Sequence, residues 1–281
     1  MACLAPGCGQ IGTNINPIKP PDDSSVAVVA FEPIVHGKIE AAERLYVVPA
    51  AVSIADGVST MRVLGSSGLS SSLAQPSKVA MEVMAEKSSD RSIRLVPVLA
   101  MKSVLDSLQQ QIVFMKTDMQ GFDFQTLQSA GRQLAERVHY IHSEVFYDGG
   151  QSYTGGVLLV GGEFRESLRA CENGPFNPST PLALHGFRST PSGVSNDFCK
   201  DWLPHMLGIG YELVTMYGRH KYADDGAVGP NAKHAMLRSN AQAVHYCKGR
   251  HPRRSYAEGE AYWRLNGTAQ PAPIIGWVSQ G

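Results

Sequence analysis

What this sequence lacks narrows it first. Its five cysteines, Cys3, Cys8, Cys171, Cys199 and Cys247, contain no Cys-x-x-Cys pair. The odd number and wide spacing argue against a zinc site and against a disulfide framework, so no metal is expected and a reducing, cytoplasmic compartment is. Charge of one sign is not in excess, since 25 Lys and Arg balance 25 Asp and Glu. That removes the electrostatic case for a nucleic-acid or anionic-membrane partner. His251, Arg253 and Arg254 form a short basic cluster, which reads as a solvated loop more readily than as a phosphate site. No apolar run reaches transmembrane length. The N-terminal residues show no charged region followed by an apolar core, so they do not read as a signal peptide.

Repeats and linkers are missing too, which predicts one domain over residues 1–281. Its N-terminal 1–25 is irregular, rich in Gly, Pro and polar residues. Residues 146–195 form an insertion, and residues 219–281 a C-terminal extension without a clear pattern.

What is present is a soluble globular composition, 43% apolar and 18% charged. Val26–Phe31 is a nearly continuous apolar run, the mark of a strand buried on both faces. Leu45–Val52 is a second such run, interrupted by Pro49. Ile93–Leu99, Ile112–Thr117, Val138–Val145 and Tyr211–Tyr217 read as further strands. Helical spacing appears in Met101–Leu108, where Val104, Leu105 and Leu108 share a face, in Phe122–Leu134 and in Asp197–Leu207. A short helix fits Ile39–Arg44, and Gly65–Ser72 is a Gly/Ser loop. Alternating strand and helix predicts an α/β fold with a doubly wound, mostly parallel sheet and helices on both faces. The insertion at 146–195 is long, rich in Gly and Pro, and carries Tyr147 and Tyr153. Such a segment reads as a lid over the strand ends, with a disordered insertion as the alternative.

In an open parallel sheet, ligands collect beyond the carboxyl ends of the strands. The polar residues that end apolar runs are therefore the candidates. Glu32 follows the first run, Ser53 and Asp56 follow the second, and Asp118, with Gln120 and Gly121, follows Ile112–Thr117. An acid at the position of Glu32 can accept both hydroxyls of a ribose, or it can simply cap the next helix. Gly7, Gly9 and Gly12 are a weak signal for close backbone approach to a ligand. His142 and Glu144 lie near the end of Val138–Val145 and, two residues apart on a strand, share a face. His142 has the reference pKa of a base, although a core histidine bonded to backbone is an equal reading.

The stretch Phe114-Met115-Lys116-Thr117-Asp118-Met119-Gln120-Gly121-Phe122-Asp123, running on to Leu127 and Gly131, resembles the signature of the FkbM methyltransferases. Ala30-Phe31-Glu32-Pro33 resembles that family's second-strand motif. Ala50-Ala51-Val52-Ser53 with Asp56-Gly57 resembles its third, and Ser70-Ser71-Ser72-Leu73 its serine loop. Ile141-His142-Ser143-Glu144 resembles its fifth strand, and Phe198 through Gly210-Tyr211 a later helix and strand. These landmarks follow family order from about residue 7 to 217. The resemblance implies a class I methyltransferase fold and S-adenosylmethionine as cofactor. It implies O-methylation of a hydroxyl on a small molecule or sugar. It departs at Pro6-Gly7-Cys8-Gly9-Gln10-Ile11-Gly12, which lacks the acid of the family's first motif.

Read this way, Gly7, Gly9, Gly12, Glu32, Ser53, Asp56, Asp118 and Gln120 are candidates to hold the cofactor. Asp118, His142 and Glu144 are candidates for catalysis. Asp118 is alternatively a cap for the helix after it. Two other readings stay open: a catalytically inactive binding protein with a methyltransferase fold, and a nicotinamide-dependent oxidoreductase with a similar sheet. The Lys-x-Asp-x-Gln-Gly block speaks against the oxidoreductase.

Overall fold

A computed structural model describes residues 2–5, 7–12, 27–34, 44–64, 73–76, 91–146, 153–156, 158–159, 197–220, 233–248 and 256–268. The chain begins with β1 (Ala2–Ala5), β2 (Gly7–Gly12), β3 (Ala27–Phe31), β4 (Leu45–Val48), β5 (Ala51–Ser53), β6 (Gly57–Leu64), β7 (Ala74–Pro76) and β8 (Arg91–Ala100). Then come α1 (Met101–Ser107), β9 (Gln111–Asp118), α2 (Asp123–Ser129), α3 (Gln133–Arg137), β10 (Val138–Phe146), β11 (Tyr153–Gly156) and β12 (Leu158–Leu159). A π-helical turn (Phe198–Trp202) leads into α4 (Leu203–Gly208), followed by β13 (Tyr211–His220), β14 (Lys233–Leu237), α5 (Asn240–Lys248) and β15 (Tyr256–Leu265).

Nine strands make the main sheet, in the order β14-β13-β15-β10-β9-β1-β2-β3-β4, with β2 also paired to β9. Its centre is parallel: β4 with β3, β3 with β2, β2 with β9, and β9 with β10. The rest is antiparallel. β1 folds back on β2 and also pairs β3 and β9, β15 pairs β10, and β13 pairs both β15 and β14. A second, four-stranded sheet runs β12-β6-β8-β5, and β11 pairs β7.

Alternation in the strands gives the main sheet two unlike faces. Met115, Ile141, Val145, Leu213, Ala261 and Trp263 point to one side. There they share one core with Val104 and Leu105 of α1, Phe124 and Leu127 of α2, Leu134 of α3, Trp202, Met206 of α4 and Ala243 of α5. All of the described helices therefore contribute to a single apolar layer. The opposite face carries Lys116, Tyr140, His142, Glu260, Tyr262 and Arg264, aligned by strand register. There Arg264 holds Glu212 through Nε and Nη2, at 2.6 and 2.5 Å.

The doubly wound, mostly parallel sheet with helices on both faces is thus overturned. Antiparallel pairings outnumber parallel ones, and the described helices are few, short and confined to one core. Two physical reasons stand out. The run Leu45–Val52 does not stay one strand. Pro49 lacks the N–H a ladder needs, the chain turns through an Ala50 N to Val48 O bond of 2.8 Å, and β5 joins the second sheet instead. In β8, Val96, Val98 and Ala100 are buried while Ile93 and Leu95 are exposed. This is the half-solvated alternation of an antiparallel pair, and β6 lies antiparallel beside it.

Other expectations meet the structure unevenly. The helix expected over Phe122–Leu134 is two helices, because Gly131 takes a φ of +57° between them. Tyr256–Leu265, the Lys233–Leu237 strand and the Asn240–Lys248 helix were not expected. The Ile39–Arg44 helix and the Gly65–Ser72 loop fall almost wholly outside the described residues. So does the 146–195 lid, apart from Phe146, β11 and β12. The expectation of unpaired cysteines is corrected: Cys199, in the π-helical turn, is disulfide-bonded to Cys247 in α5, 48 residues away. The fold brings their Cα atoms to 5.4 Å, a separation a disulfide accepts. Among the described residues, no helix is long and apolar enough to cross a membrane, and no His, Cys, Asp and Glu group could hold a metal ion.

Candidate functional site

The parallel strands β2, β9 and β10 end at one edge of the main sheet, and most of the candidate residues gather there. Gly9 stands opposite Met115 in the register and Gly12 opposite Asp118. The glycine strand therefore reaches the edge beside the Lys-x-Asp strand. Gly7 lies at the other end of β2, in the hairpin with β1.

Asp118 ends β9, half-buried. Lys116 Nζ lies 3.5 Å from its Oδ2, and Gln120 Nε2 donates to its Oδ1 at 2.8 Å. Gln120 makes this contact from a left-handed conformation, φ +51°, followed by Gly121 at +99°. Two such residues in a row bend the chain sharply before α2. Beneath the bend lies Asp123, fully buried. Burial, reinforced by the charge of Asp118, pushes its carboxyl up to about 7, and hydrogen bonds from Thr117 and Met119 offset only part of this. Thr117 Oγ1 is also 2.8 Å from Ser143 Oγ on β10, a buried tie between the two parallel strands.

Glu32 ends β3, where its amide donates to Val48 O at 3.0 Å. Its Oε1 accepts the Ile34 amide at 3.0 Å. Burial pushes the Glu32 carboxyl up to about 7 despite that bond. Ser53 ends β5 in the second sheet. It is buried, and its hydroxyl has no hydrogen-bond partner among the described residues. Asp56 has a different surrounding. Its Oδ1 accepts the Ala100 amide at 2.7 Å and its Oδ2 the Ser103 hydroxyl at 2.6 Å. Both oxygens thus cap the start of α1 from the turn between β5 and β6, where Ala100 has no capping side chain of its own.

His142 lies on the polar face of β10, next to Lys116 on one side and Tyr262 on the other. Its ring stacks on Tyr262, centroids 4.1 Å apart at 18°. Its Nε2 is 3.7 Å from Glu260 Oε2. Burial holds the imidazole below its usual range, and Glu260 opposes that shift. Glu144, half-buried, sits two residues on and directly opposite Glu260 in the register.

The structure therefore brings Gly12, Asp118, Gln120, His142 and Glu144 to one edge, with Glu32 one strand further on and Gly9 in the middle of β2. It sets Gly7 apart from them and gives Asp56 to α1. Sequence reasoning missed Glu260 and Tyr262 because β15 was not recognised. The signal was there in Tyr256-Ala257-Glu258-Gly259-Glu260-Ala261-Tyr262-Trp263, where polar or aromatic residues alternate with small or buried ones. Asp123 was seen only as part of a motif.

The family model of the Methyltransferase FkbM domain matches residues 10–171. That is more than half of the chain, and the protein belongs to this family. No curated protein and no solved structure matches it.

Proposed function

We propose that the protein is an S-adenosylmethionine-dependent methyltransferase that O-methylates a hydroxyl of a small molecule or sugar. The observation that carries this reading is the juxtaposition of Gly12 with Asp118 at the carboxyl edge of the parallel strands, inside the matched family domain. The residues there suit that cofactor. Backbone at Gly9 and Gly12 admits close approach. Glu32 offers two acceptor oxygens to ribose hydroxyls. The buried Ser53 hydroxyl has a hydrogen bond still to make among the described residues. Asp118 and Gln120 offer an acceptor and an amide to the amino-acid end.

The cofactor supplies an activated methyl group on a sulfonium sulfur. The chain's own work is alignment and proton removal. Asp118, steadied by Lys116 and Gln120, orients polar groups at the strand edge. His142, kept neutral by burial, accepts a proton from the acceptor hydroxyl. Glu144 borders the same space. Lacking the first-motif acid, the cofactor half depends more on Glu32 and on backbone contacts.

Calorimetry with S-adenosylmethionine and, separately, with NAD tests the cofactor. Binding of the first and not the second is the expected result. Transfer of labelled methyl to a panel of sugars and small hydroxylated molecules tests the reaction. Cofactor binding with no transfer to any acceptor favours the catalytically inactive binding protein.

A further inference from the structure

We infer that Glu260, on β15, is the positioning carboxylate of His142, and that the two form a base dyad held in plane by Tyr262. Its catalytic meaning rests on the methyltransferase reading, while the dyad itself rests on the geometry of three strands.

Strand register alone places the parts. β10 and β15 run antiparallel with His142 opposite Tyr262 and Glu144 opposite Glu260. Directly opposite residues on one face of a sheet touch, and here the His142 and Tyr262 rings stack at 4.1 Å. Tyr217 of β13 backs Tyr262 edge-on, centroids 5.8 Å apart at 90°. The imidazole thus has one face packed on an aromatic ring that is itself backed by a second. From the diagonal position, Glu260 Oε2 reaches His142 Nε2 at 3.7 Å. A carboxylate on one ring nitrogen sets the tautomer and leaves the other nitrogen to accept a proton. In the proposed dyad the hydrogen sits on Nε2, the nitrogen 3.7 Å from Glu260 Oε2, and Nδ1 is the basic atom.

Charge balance explains why a carboxylate is useful there. The acceptor O–H bond breaks and its proton goes to Nδ1. The oxygen–methyl bond forms, the methyl–sulfur bond breaks, and its electron pair stays on sulfur. One positive charge leaves the sulfonium and one appears on the imidazole. Burial opposes that new charge, and Glu260 is the group placed to stabilise it. The other charged and titratable groups around the ring are Lys116 and Asp118 of β9 and Glu144 of β10, with Tyr262 and Tyr217 on the far side. Lys116 works against the imidazolium and Asp118 for it.

The test compares the full chain with Glu260→Gln, which keeps shape and removes charge, and with Glu260→Asp. An NMR titration of the His142 ring reads the dyad without any turnover. Calorimetry with S-adenosylmethionine reads cofactor binding. A pH profile of methyl transfer reads the base. In Glu260→Gln the His142 titration moves to lower pH, the acid limb of the rate profile moves with it, and kcat falls on the order of 100-fold. Cofactor binding is unchanged. Glu260→Asp recovers part of each loss. A His142 titration that Glu260→Gln and Glu260→Asp both leave unmoved overturns the dyad. So does a titration that moves while the rate profile does not. Failure of the unaltered chain to bind S-adenosylmethionine counts against the methyltransferase reading instead, and the titration still decides the dyad.

Discussion

Both carboxylate oxygens of Asp123 lie 3.2 Å from the Met119 amide. This fully buried acid at the start of α2 thereby fastens the bend that carries Asp118 and Gln120. Its carboxyl is pushed by burial from its ordinary value of 3.8 up to about 7. The sign follows from proton linkage. The folded state holds the proton more tightly than the unfolded chain, so the contribution to stability is full below about 3.8. It is lost as pH rises through about 7. Thermal melts from pH 4 to 8 are expected to show this fall, and Asp123→Asn to flatten it. An unchanged slope in the variant would assign the fall to other groups.

Glu32 carries a second raised carboxyl, also near 7. Bonds from ribose hydroxyls favour its charged form, so S-adenosylmethionine is expected to bind more tightly as pH rises through about 7. Glu32→Ala is expected to cost about 1.5–3 kcal/mol of binding, the range for hydrogen bonds to a charged group. Calorimetry at pH 6 and 8 on both proteins checks this. Equal affinity for parent and variant removes Glu32 from the cofactor site.

The Tyr211 hydroxyl donates into the chain between α3 and β10, 2.5 Å from Val138 O and 3.0 Å from Leu134 O. Burial pushes its pKa well up, so the hydroxyl keeps its proton. Tyr211→Phe leaves those carbonyls one donor short and is expected to lower stability by about 1–3 kcal/mol. Denaturant unfolding measures it, with little change expected in cofactor binding.

The Cys199–Cys247 disulfide ties the π-helical turn to α5, closing a loop across 48 residues. Its reduction, or Cys199→Ser, is expected to remove roughly 2–4 kcal/mol by restoring freedom to the unfolded chain. Melts with and without reductant give the value. A Cys199→Ser protein indifferent to reductant and as stable as the reduced parent is the expected pattern.

Much of the site was legible in the sequence because its signal is local. Strand ends in buried parallel strands are marked by an apolar run meeting a polar residue, as at Phe31-Glu32 and Thr117-Asp118. The family motif adds order along the chain. The sequence by itself thus determined the family, the strands that became β3, β9 and β10, and the strand-end positions of Glu32 and Asp118. Other features depend on partners distant in the chain. Asp56 reads as a ligand residue until α1 is seen beginning beside it, since a cap supplied from a turn more than forty residues away leaves no local pattern. Cys199 and Cys247 read as unrelated thiols until two helical segments bring them together. The antiparallel half of the sheet escaped because β15 is half polar, and only its neighbours tell which half is buried. His142 and Glu260 lie more than a hundred residues apart. Their meeting was decided by strand register, which no single stretch of sequence encodes, because register is settled jointly by both strands and the faces they bury.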